Sequence, residues 1–147
     1  MSDADILLVE DNISDIKLAM RALERHDLAA RVRVVRDGAE ALDYLFGTGP
    51  FEGKPPPPRP RVVLLDLKLP RVDGHEVLRR VKGSPDTHDI PVVVFTSSGE
   101  GQDVAASYRL GANGYVQKPI EFEPLMEAVG RLGLFWVLAN KVPYAAD

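Results

Sequence analysis

The chain has 147 residues, 45% of them hydrophobic and 27% charged, which is typical of one globular domain and excludes the disordered, collagen-like and membrane classes. A net charge of -4 gives no reason to expect nucleic-acid binding, because a surface that binds phosphates needs clustered lysine and arginine. The chain has no cysteine, so we expect no disulfide. Its first residues are acidic and it has no long apolar run, so we expect no secretion signal, no membrane span and a cytoplasmic location.

The first part of the chain predicts a strand followed by a helix. Residues 6–9 form an unbroken apolar run, as in a strand buried on both faces, and the run stops at Glu10 and Asp11. Apolar residues then recur at helical spacing, and Asn12 with Asp15 three residues later is a helix start signal. The first strand therefore carries acidic residues at its carboxyl end.

A second strand and helix precede a long loop. Residues 32–35 alternate more than the first run, which places that strand at an edge of the sheet. Asp37 and Glu40 have the form of a capping box and begin a helix that Gly47 ends. Residues 48–60 predict an exposed loop, because proline lacks a backbone donor and fixes its backbone angle. Its run of four prolines is either a stiff connector or a partner site.

The second half repeats the alternation of strand and helix. Strands are predicted at 62–65, 91–95 and 114–117, and they lead into Asp66, Thr96 and Lys118. Three helices accompany them: one begins at Asp73, one has Val104, Ser107 and Tyr108 on one face, and the last begins near Pro124. Five strands therefore alternate with five helices.

This alternation predicts an α/β fold with a doubly wound, five-stranded parallel sheet and helices on both faces. In such sheets, ligands bind beyond the carboxyl ends of the strands. We therefore expect the polar residues at those ends to lie together: Glu10, Asp11, Asp66, Thr96 and Lys118.

These side chains suit phosphoryl transfer. Three crowded carboxylates favour a divalent cation, and the small number of protein ligands suits Mg²⁺. The cation and the Lys118 ammonium would attract a phosphoryl group, for which the Asp66 carboxylate is the candidate nucleophile. Taken singly, Glu10 and Asp11 would be a solvated turn, Thr96 a helix cap and Lys118 a surface lysine. Their common edge favours a site.

A phosphatase with an aspartyl nucleophile and a nucleotide- or flavin-binding module are alternative functions. Such a phosphatase carries a second aspartate two residues after its nucleophile, where this chain has Lys68. A nucleotide site would need a glycine-rich loop after the first strand, and residues 10–15 contain no glycine. His26, His75 and His88 lack metal-ligand spacing and are expected at the surface.

The motifs at the strand ends resemble the receiver domains of bacterial response regulators, from Ile6 to about Val137. They are Leu7-Leu8-Val9-Glu10-Asp11-Asn12, Leu64-Leu65-Asp66-Leu67-Lys68-Leu69-Pro70 with Asp73-Gly74, Val94-Phe95-Thr96-Ser97, and Gly111-Ala112-Asn113-Gly114-Tyr115 before Lys118-Pro119. The resemblance implies the flavodoxin-like strand order 2-1-3-4-5 and a single receiver domain over 1–147 with no attached output domain. It implies a signalling protein that catalyses only its own phosphotransfer and dephosphorylation. A degenerate receiver used as a scaffold is an alternative, which the complete residue set disfavours.

By the same resemblance, Asp66 is the phosphoacceptor and takes its phosphoryl group from a sensor histidine kinase. Asp11, Asp66 and the backbone carbonyl of Lys68 would bind Mg²⁺, and Glu10 would help through water.

The resemblance also assigns the phosphoryl-binding groups. Thr96, Lys118 and the backbone N–H groups of Lys68 and Ser97 would hold the phosphoryl oxygens. Thr96 and Tyr115 would be the switch residues. The peptide bond between Lys118 and Pro119 would be cis, a form that tertiary structure must hold.

More narrowly, the chain is similar to the single-domain regulators that partner bacterial phytochrome-type histidine kinases. The signals are Tyr44-Leu45-Phe46, the long loop that follows, and the tail Phe135-Trp136 to Asn140-Lys141-Val142-Pro143. A bacteriophytochrome is therefore a candidate kinase partner. Lys68 stands where this subgroup has asparagine, and its side chain borders the phosphoryl site.

The helix and tail at 121–147 are apolar nearly all round, through Leu132, Leu134, Phe135, Trp136, Val137 and Leu138. One core-facing stripe cannot cover so much apolar surface. We therefore expect a homodimer through this helix and tail, with partner binding as the alternative. The signal would leave by protein contacts, with no nucleic acid or membrane as partner.

Overall fold

The structure is a computed structural model that describes residues 4–55, 57 and 59–144. Five strands form one parallel sheet in the order β2-β1-β3-β4-β5. They are β1 (Ile6–Val9), β2 (Val32–Val35), β3 (Val62–Leu65), β4 (Val92–Thr96) and β5 (Gly114–Gln117). The predicted sheet and strand order are confirmed, including the edge position of β2.

Five helices cover the two faces of the sheet. They are α1 (Ile13–Glu24), α2 (Gly38–Phe46), α3 (Gly74–Lys82), α4 (Gly101–Arg109) and α5 (Phe122–Gly133). Three of them start at a predicted cap, because Asn12, Asp37 and Asp73 each accept a hydrogen bond from the backbone N–H three residues later. Among the helices of the described ranges, none combines the length and apolar character that a membrane span requires.

The central strands are buried on both faces. Leu7 and Leu65 point into a cluster with Leu78 of α3, whereas Ile6 and Leu64 point into a second cluster with α1 and α5. Each fully buried leucine contributes about 1.5–3 kcal/mol relative to an exposed one. The strand ends are therefore held rigidly, and so are the polar residues that follow them.

The loop at 48–60 is anchored at its first part. The Phe51 ring is half-buried and lies edge-on to Tyr44, with 5.5 Å between centroids. The Arg33 guanidinium lies 5.2 Å from the Tyr44 centroid and 5.4 Å from that of Phe51. The exposed loop that we predicted therefore packs partly against β2, because it carries one aromatic ring. Pro56 and Pro58 of the proline run lie outside the described residues.

The tail returns to the end of that loop. Tyr144 donates a hydrogen bond of 2.5 Å to the carbonyl of Pro60, and the Arg59 guanidinium lies 4.2 Å from the Tyr144 ring centroid. Arg59 also pairs with Asp89. The tail is therefore tied to the segment that leads into β3.

Two details of the predicted helices differ from the structure. Tyr108 is 51% exposed, although we placed it on one face with Ser107, which is fully buried. The reason is that α4 packs a narrow face centred on Ser107, and Tyr108 lies a third of a turn away. The last helix widens into a π-helical turn at Leu134–Ala139, which keeps Val137 buried.

Candidate functional site

Asp66 lies at the carboxyl end of β3 and is 7% exposed. Thr96, at the end of the neighbouring β4, donates from Oγ1 to Asp66 Oδ1 over 2.7 Å. Lys118, beyond β5, donates from Nζ to Asp66 Oδ2 over 3.1 Å. The backbone N–H of Lys68 makes a long contact of 3.4 Å with Oδ1. The two carboxylate oxygens are therefore held by different strands.

Glu10, Asp11 and Asp66 form an acidic cluster in which one oxygen from each side chain lies within 4.8 Å of the others. Glu10 and Asp66 are buried, whereas Asp11 is half-buried and lines an open cleft. Three hard oxygen donors with one open side fit a small divalent cation that keeps part of its water shell. The predicted acids are thus together at the predicted edge.

The Lys118 ammonium has three carboxylate partners. Its Nζ lies 2.6 Å from Glu10 Oε1, 3.0 Å from Asp15 Oδ2 and 3.1 Å from Asp66 Oδ2. Burial lowers the pKa of Lys118, but the hydrogen bond and charge of Glu10, then the charge of Asp66 and the hydrogen bond to Asp15, outweigh burial and raise the pKa. Lys118 therefore remains a cation in this pocket.

Burial raises the pKa of Glu10 from its ordinary value of 4.5 to about 7. The hydrogen bond and charge of Lys118 act against this rise, and the Asp66 carboxylate adds to it. Glu10 also accepts a hydrogen bond of 3.1 Å from the backbone N–H of Asn12. Without a further cation, Glu10 therefore holds a proton up to nearly neutral pH.

Gly74 allows α3 to begin close to the segment after β3. A Cβ atom at Gly74 would lie 2.3 Å from the Asp66 carbonyl oxygen and 2.5 Å from the Leu67 Cα. Its backbone N–H donates to the Leu67 carbonyl over 2.8 Å. The absence of a side chain at Gly74 thus lets the helix hold the Asp66 segment in place.

The remaining predicted site residues lie around this centre. Tyr115 is half-buried on β5, and its hydroxyl donates to the Ser98 carbonyl over 2.9 Å. Ser97 is exposed after β4, and the Lys68 side chain is exposed after β3.

The peptide bond between Lys118 and Pro119 is not cis, since no cis peptide bond occurs in the described ranges. The expectation of a cis bond is therefore wrong for this structure. Before proline, the trans form is preferred by about 0.5–1 kcal/mol. The contacts of Lys118 described above are made with this peptide bond in the trans form.

An open cleft of about 420 Å³ borders the site, lined by Asp11, Lys68, Asp73, His75, Ser98 and Asp103. His75 is half-buried and lies 3.2 Å from the Ser107 hydroxyl, whereas His26 and His88 are exposed. His75 therefore lies at the surface, as expected, but in the wall of this cleft and only partly exposed. No spacing rule identifies this contact, because it joins the first turn of α3 to the last turn of α4.

Asp15 is the site residue that sequence reasoning missed. Its carboxylate, in the first turn of α1, contacts Lys118 across 103 residues of chain. The sequence marked Asp15 only as part of the helix start that follows Asn12.

A parallel sheet of this order, with acids, Thr96 and Lys118 at its carboxyl edge, defines a phosphate-accepting receiver. The model of the family described as response regulator receiver domain matches residues 6–130. The chain therefore belongs to this family, whose members are the phosphoacceptors of two-component signalling.

Several relatives are known in more detail. Response regulator Rcp1 of Synechocystis is 39% identical over 95% of this chain and 93% of its own length. Its Mn²⁺-bound crystal structure has a TM-score of 0.85, with coverage of 94% of this chain and 97% of that one.

Two further structures are similar. The phosphorylated cyanobacterial phytochrome response regulator RcpA has a TM-score of 0.87 and 38% identity, over 97% of this chain and 99% of that one. The bacteriophytochrome response regulator AtBRR is 53% identical over 96% of this chain and 100% of that one, with a TM-score of 0.72. The predicted likeness to phytochrome-type regulators is thus confirmed.

Proposed function

We propose that the protein accepts a phosphoryl group on Asp66 from a sensor histidine kinase. The observation that supports this proposal is that the Asp66 carboxylate accepts two side-chain hydrogen bonds, from Thr96 at one oxygen and from Lys118 at the other. A nucleophile oriented in this way loses little freedom on reaction, and the same donors can follow the charge as it moves to phosphoryl oxygens.

The proposed reaction moves one phosphoryl group between two side chains. An Asp66 carboxylate oxygen forms a bond to phosphorus, and the bond from phosphorus to the kinase imidazole nitrogen breaks. The imidazole nitrogen leaves with the electron pair and takes up a proton. The Lys118 ammonium and the Thr96 hydroxyl, with the backbone N–H groups of Lys68 and Ser97, would neutralise charge on the phosphoryl oxygens.

Mg²⁺ would be held by Asp11, Asp66 and the Lys68 carbonyl, with Glu10 helping through water. The acidic cluster supports this assignment, and the relative Rcp1 has a Mn²⁺-bound form. When bound, the cation supplies positive charge beside the phosphoryl oxygens.

Signal output would begin at Thr96 and Tyr115. Thr96 already bonds the acceptor carboxylate, so a new phosphoryl oxygen would compete for its hydroxyl. Tyr115 lies on the neighbouring strand opposite Val94, two residues before Thr96, and its hydroxyl is bonded to Ser98 in the loop that follows Thr96. We infer that Thr96 moves toward the phosphoryl group and that Tyr115 follows into the space it leaves.

We further infer that residues 1–147 act as one receiver domain that signals by protein contacts. The π-helical turn after α5 exposes Leu134, Phe135 and Leu138 to 36%, 52% and 60%. This apolar surface supports a homodimer through α5 and the tail. Light scattering, with and without phosphorylation, should show a dimer; a monomer at every concentration would exclude it.

A bacteriophytochrome is the proposed kinase class, on the strength of the likeness to AtBRR and RcpA. Phosphotransfer should be measured from a phytochrome-type kinase encoded next to this protein, with Mg²⁺ present and absent. Asp66→Asn should abolish labelling from both the kinase and acetyl phosphate. An Asn variant that is labelled as well as the parent would refute the assignment.

A further inference from the structure

We propose that Asp15 is a positioning residue of this site, a fixed acceptor that holds the Lys118 ammonium while its other partners change. This inference rests on the proposed phosphorylation of Asp66. It concerns a residue outside both the acidic cluster and the set of groups that would touch the phosphoryl group.

Lys118 uses its full donor capacity on three carboxylates. An ammonium has three N–H donors, and Nζ lies within 2.6–3.1 Å of one oxygen each from Glu10, Asp15 and Asp66. These three acceptors come from the end of β1, the first turn of α1 and the end of β3. The direction of the Lys118 side chain is therefore set from three sides.

Two of the three acceptors change when the site works. Phosphorylation converts the Asp66 carboxylate into an acyl phosphate, which moves its charge outward and leaves a weaker acceptor at its own oxygens. Glu10 belongs to the acidic cluster that would share its charge with a cation. Asp15 is outside that cluster, so its carboxylate is the acceptor that stays the same throughout the cycle.

The start of α1 is arranged so that the Asp15 side chain is available. In a capping box, the side chain at the third helical position returns to the backbone N–H of the cap residue. Here the Asn12 N–H donates instead to Glu10 Oε2 over 3.1 Å, while Asn12 Oδ1 accepts from the Asp15 N–H over 2.9 Å. Asp15 is thereby held by its backbone, and its carboxylate turns to Lys118.

The four groups form a closed ring. Glu10 contacts Asn12, Asn12 contacts Asp15, and Asp15 and Glu10 both contact Lys118. Because the Asp15 side chain is 27% exposed while that of Lys118 is 7% exposed, water screens part of its charge. We therefore assign the effect of Asp15 to the hydrogen-bond acceptor that it offers, more than to its charge.

The test compares Asp15→Ala, which removes the acceptor, with Asp15→Asn, which keeps an acceptor without the charge. The control is Glu123→Ala, which removes a carboxylate from the first turn of α5, where its nearest cation is Arg25 at 4.0 Å. Two readouts are needed: the phosphorylation rate at saturating acetyl phosphate with Mg²⁺, and the NMR signal of the Lys118 ammonium, which is sharp only when its rotation is restrained.

We expect Asp15→Ala to slow phosphorylation about tenfold, because a Lys118 ammonium without its fixed acceptor points at the phosphoryl oxygens in fewer molecules, and to broaden the Lys118 ammonium signal. Asp15→Asn should stay within about threefold of the parent on the same scale, and Glu123→Ala should match the parent. A merely structural role would lower thermal stability without moving the ammonium signal.

Two results would overturn the inference. One is an Asp15→Ala variant with the parent's rate and ammonium signal, and the other is an Asn variant as slow as the Ala variant. If the parent itself takes no phosphate, the proposed function fails first, and the ammonium signal then shows whether Asp15 still restrains Lys118.

Discussion

Thr96 Oγ1 donates to Asp66 Oδ1 over 2.7 Å between two neighbouring parallel strands, and both side chains are buried. Since β3 and β4 are paired, the backbones of the two residues are held side by side, and the Thr96 hydroxyl can answer a change on Asp66 by rotation of its side chain. A chemical change on Asp66 therefore acts directly on Thr96.

Thr96→Ala should slow phosphorylation of Asp66 about tenfold, because a donor to the reacting oxygens is lost. It should also remove the response of the Tyr115 ring signals in NMR spectra when the phosphoryl analogue beryllofluoride is added with Mg²⁺. Thr96→Ser keeps the hydroxyl and is the matched control. Parent-like Tyr115 shifts in the Ala variant would exclude Thr96 from the switch.

Lys118→Met should destabilise the fold by about 3–5 kcal/mol above pH 7, because the acids around it lose their buried counter-charge. The measurement is urea unfolding by circular dichroism. Lys17→Met is the control, since Lys17 is an exposed lysine of α1. Equal midpoints for the two variants would show that the carboxylates do not depend on Lys118.

The raised pKa of Glu10 predicts a pH-dependent stability. Between pH 4.5 and about 7, the folded chain holds a proton on Glu10 that the unfolded chain has lost. The protonated group therefore favours the folded state at low pH, and this contribution disappears as the pH rises through about 7. Urea unfolding without divalent cations should accordingly show stability falling across this range.

Mg²⁺ should reverse this trend. A cation needs Glu10 deprotonated, so its stabilising effect should be larger at about pH 8 than at about pH 5.5. Glu10→Gln cannot titrate and should flatten the metal-free profile. A parent profile as flat as that of the Gln variant would contradict the assignment.

Gly74→Ala should destabilise the fold by about 1–3 kcal/mol and slow phosphorylation, because the new Cβ would push on the backbone of Asp66 and Leu67. Gly101→Ala is the matched control at the first position of α4, where a Cβ would meet no heavy atom within 4 Å. The control should be neutral or slightly stabilising, since alanine is the better helix former. Thermal unfolding and acetyl phosphate labelling measure both effects, and equal results for the two glycines would refute the steric argument.

The fold was predictable because its strands are short apolar runs that end abruptly at polar residues. Residues 6–9 and 62–65 are short for a buried helix and so indicated buried strands, and the helices between them predicted a parallel sheet. The meeting of Glu10, Asp11, Asp66, Thr96 and Lys118 followed from that one inference, since parallel strands share their carboxyl edge.

The details that were missed depend on side-chain direction. Asp15 looked like part of a helix start. Nothing in the local sequence shows that Glu10, and not the Asp15 side chain, accepts the hydrogen bond from the Asn12 N–H. Phe51 sits in a segment rich in proline and glycine, so its packing against Tyr44 has no periodic signal. His75 meets Ser107 only because α3 and α4 lie side by side.

The contacts of Lys118 join positions that lie 52 and 103 residues away along the chain. A growing polypeptide that ends before β5 lacks the Lys118 ammonium. A folded chain in which β5 has separated from the sheet moves Lys118 away from the acids. Competence to take up phosphate is consequently a property of the finished sheet alone. A kinase that phosphorylates this protein would therefore transfer its signal only to molecules that have completed folding.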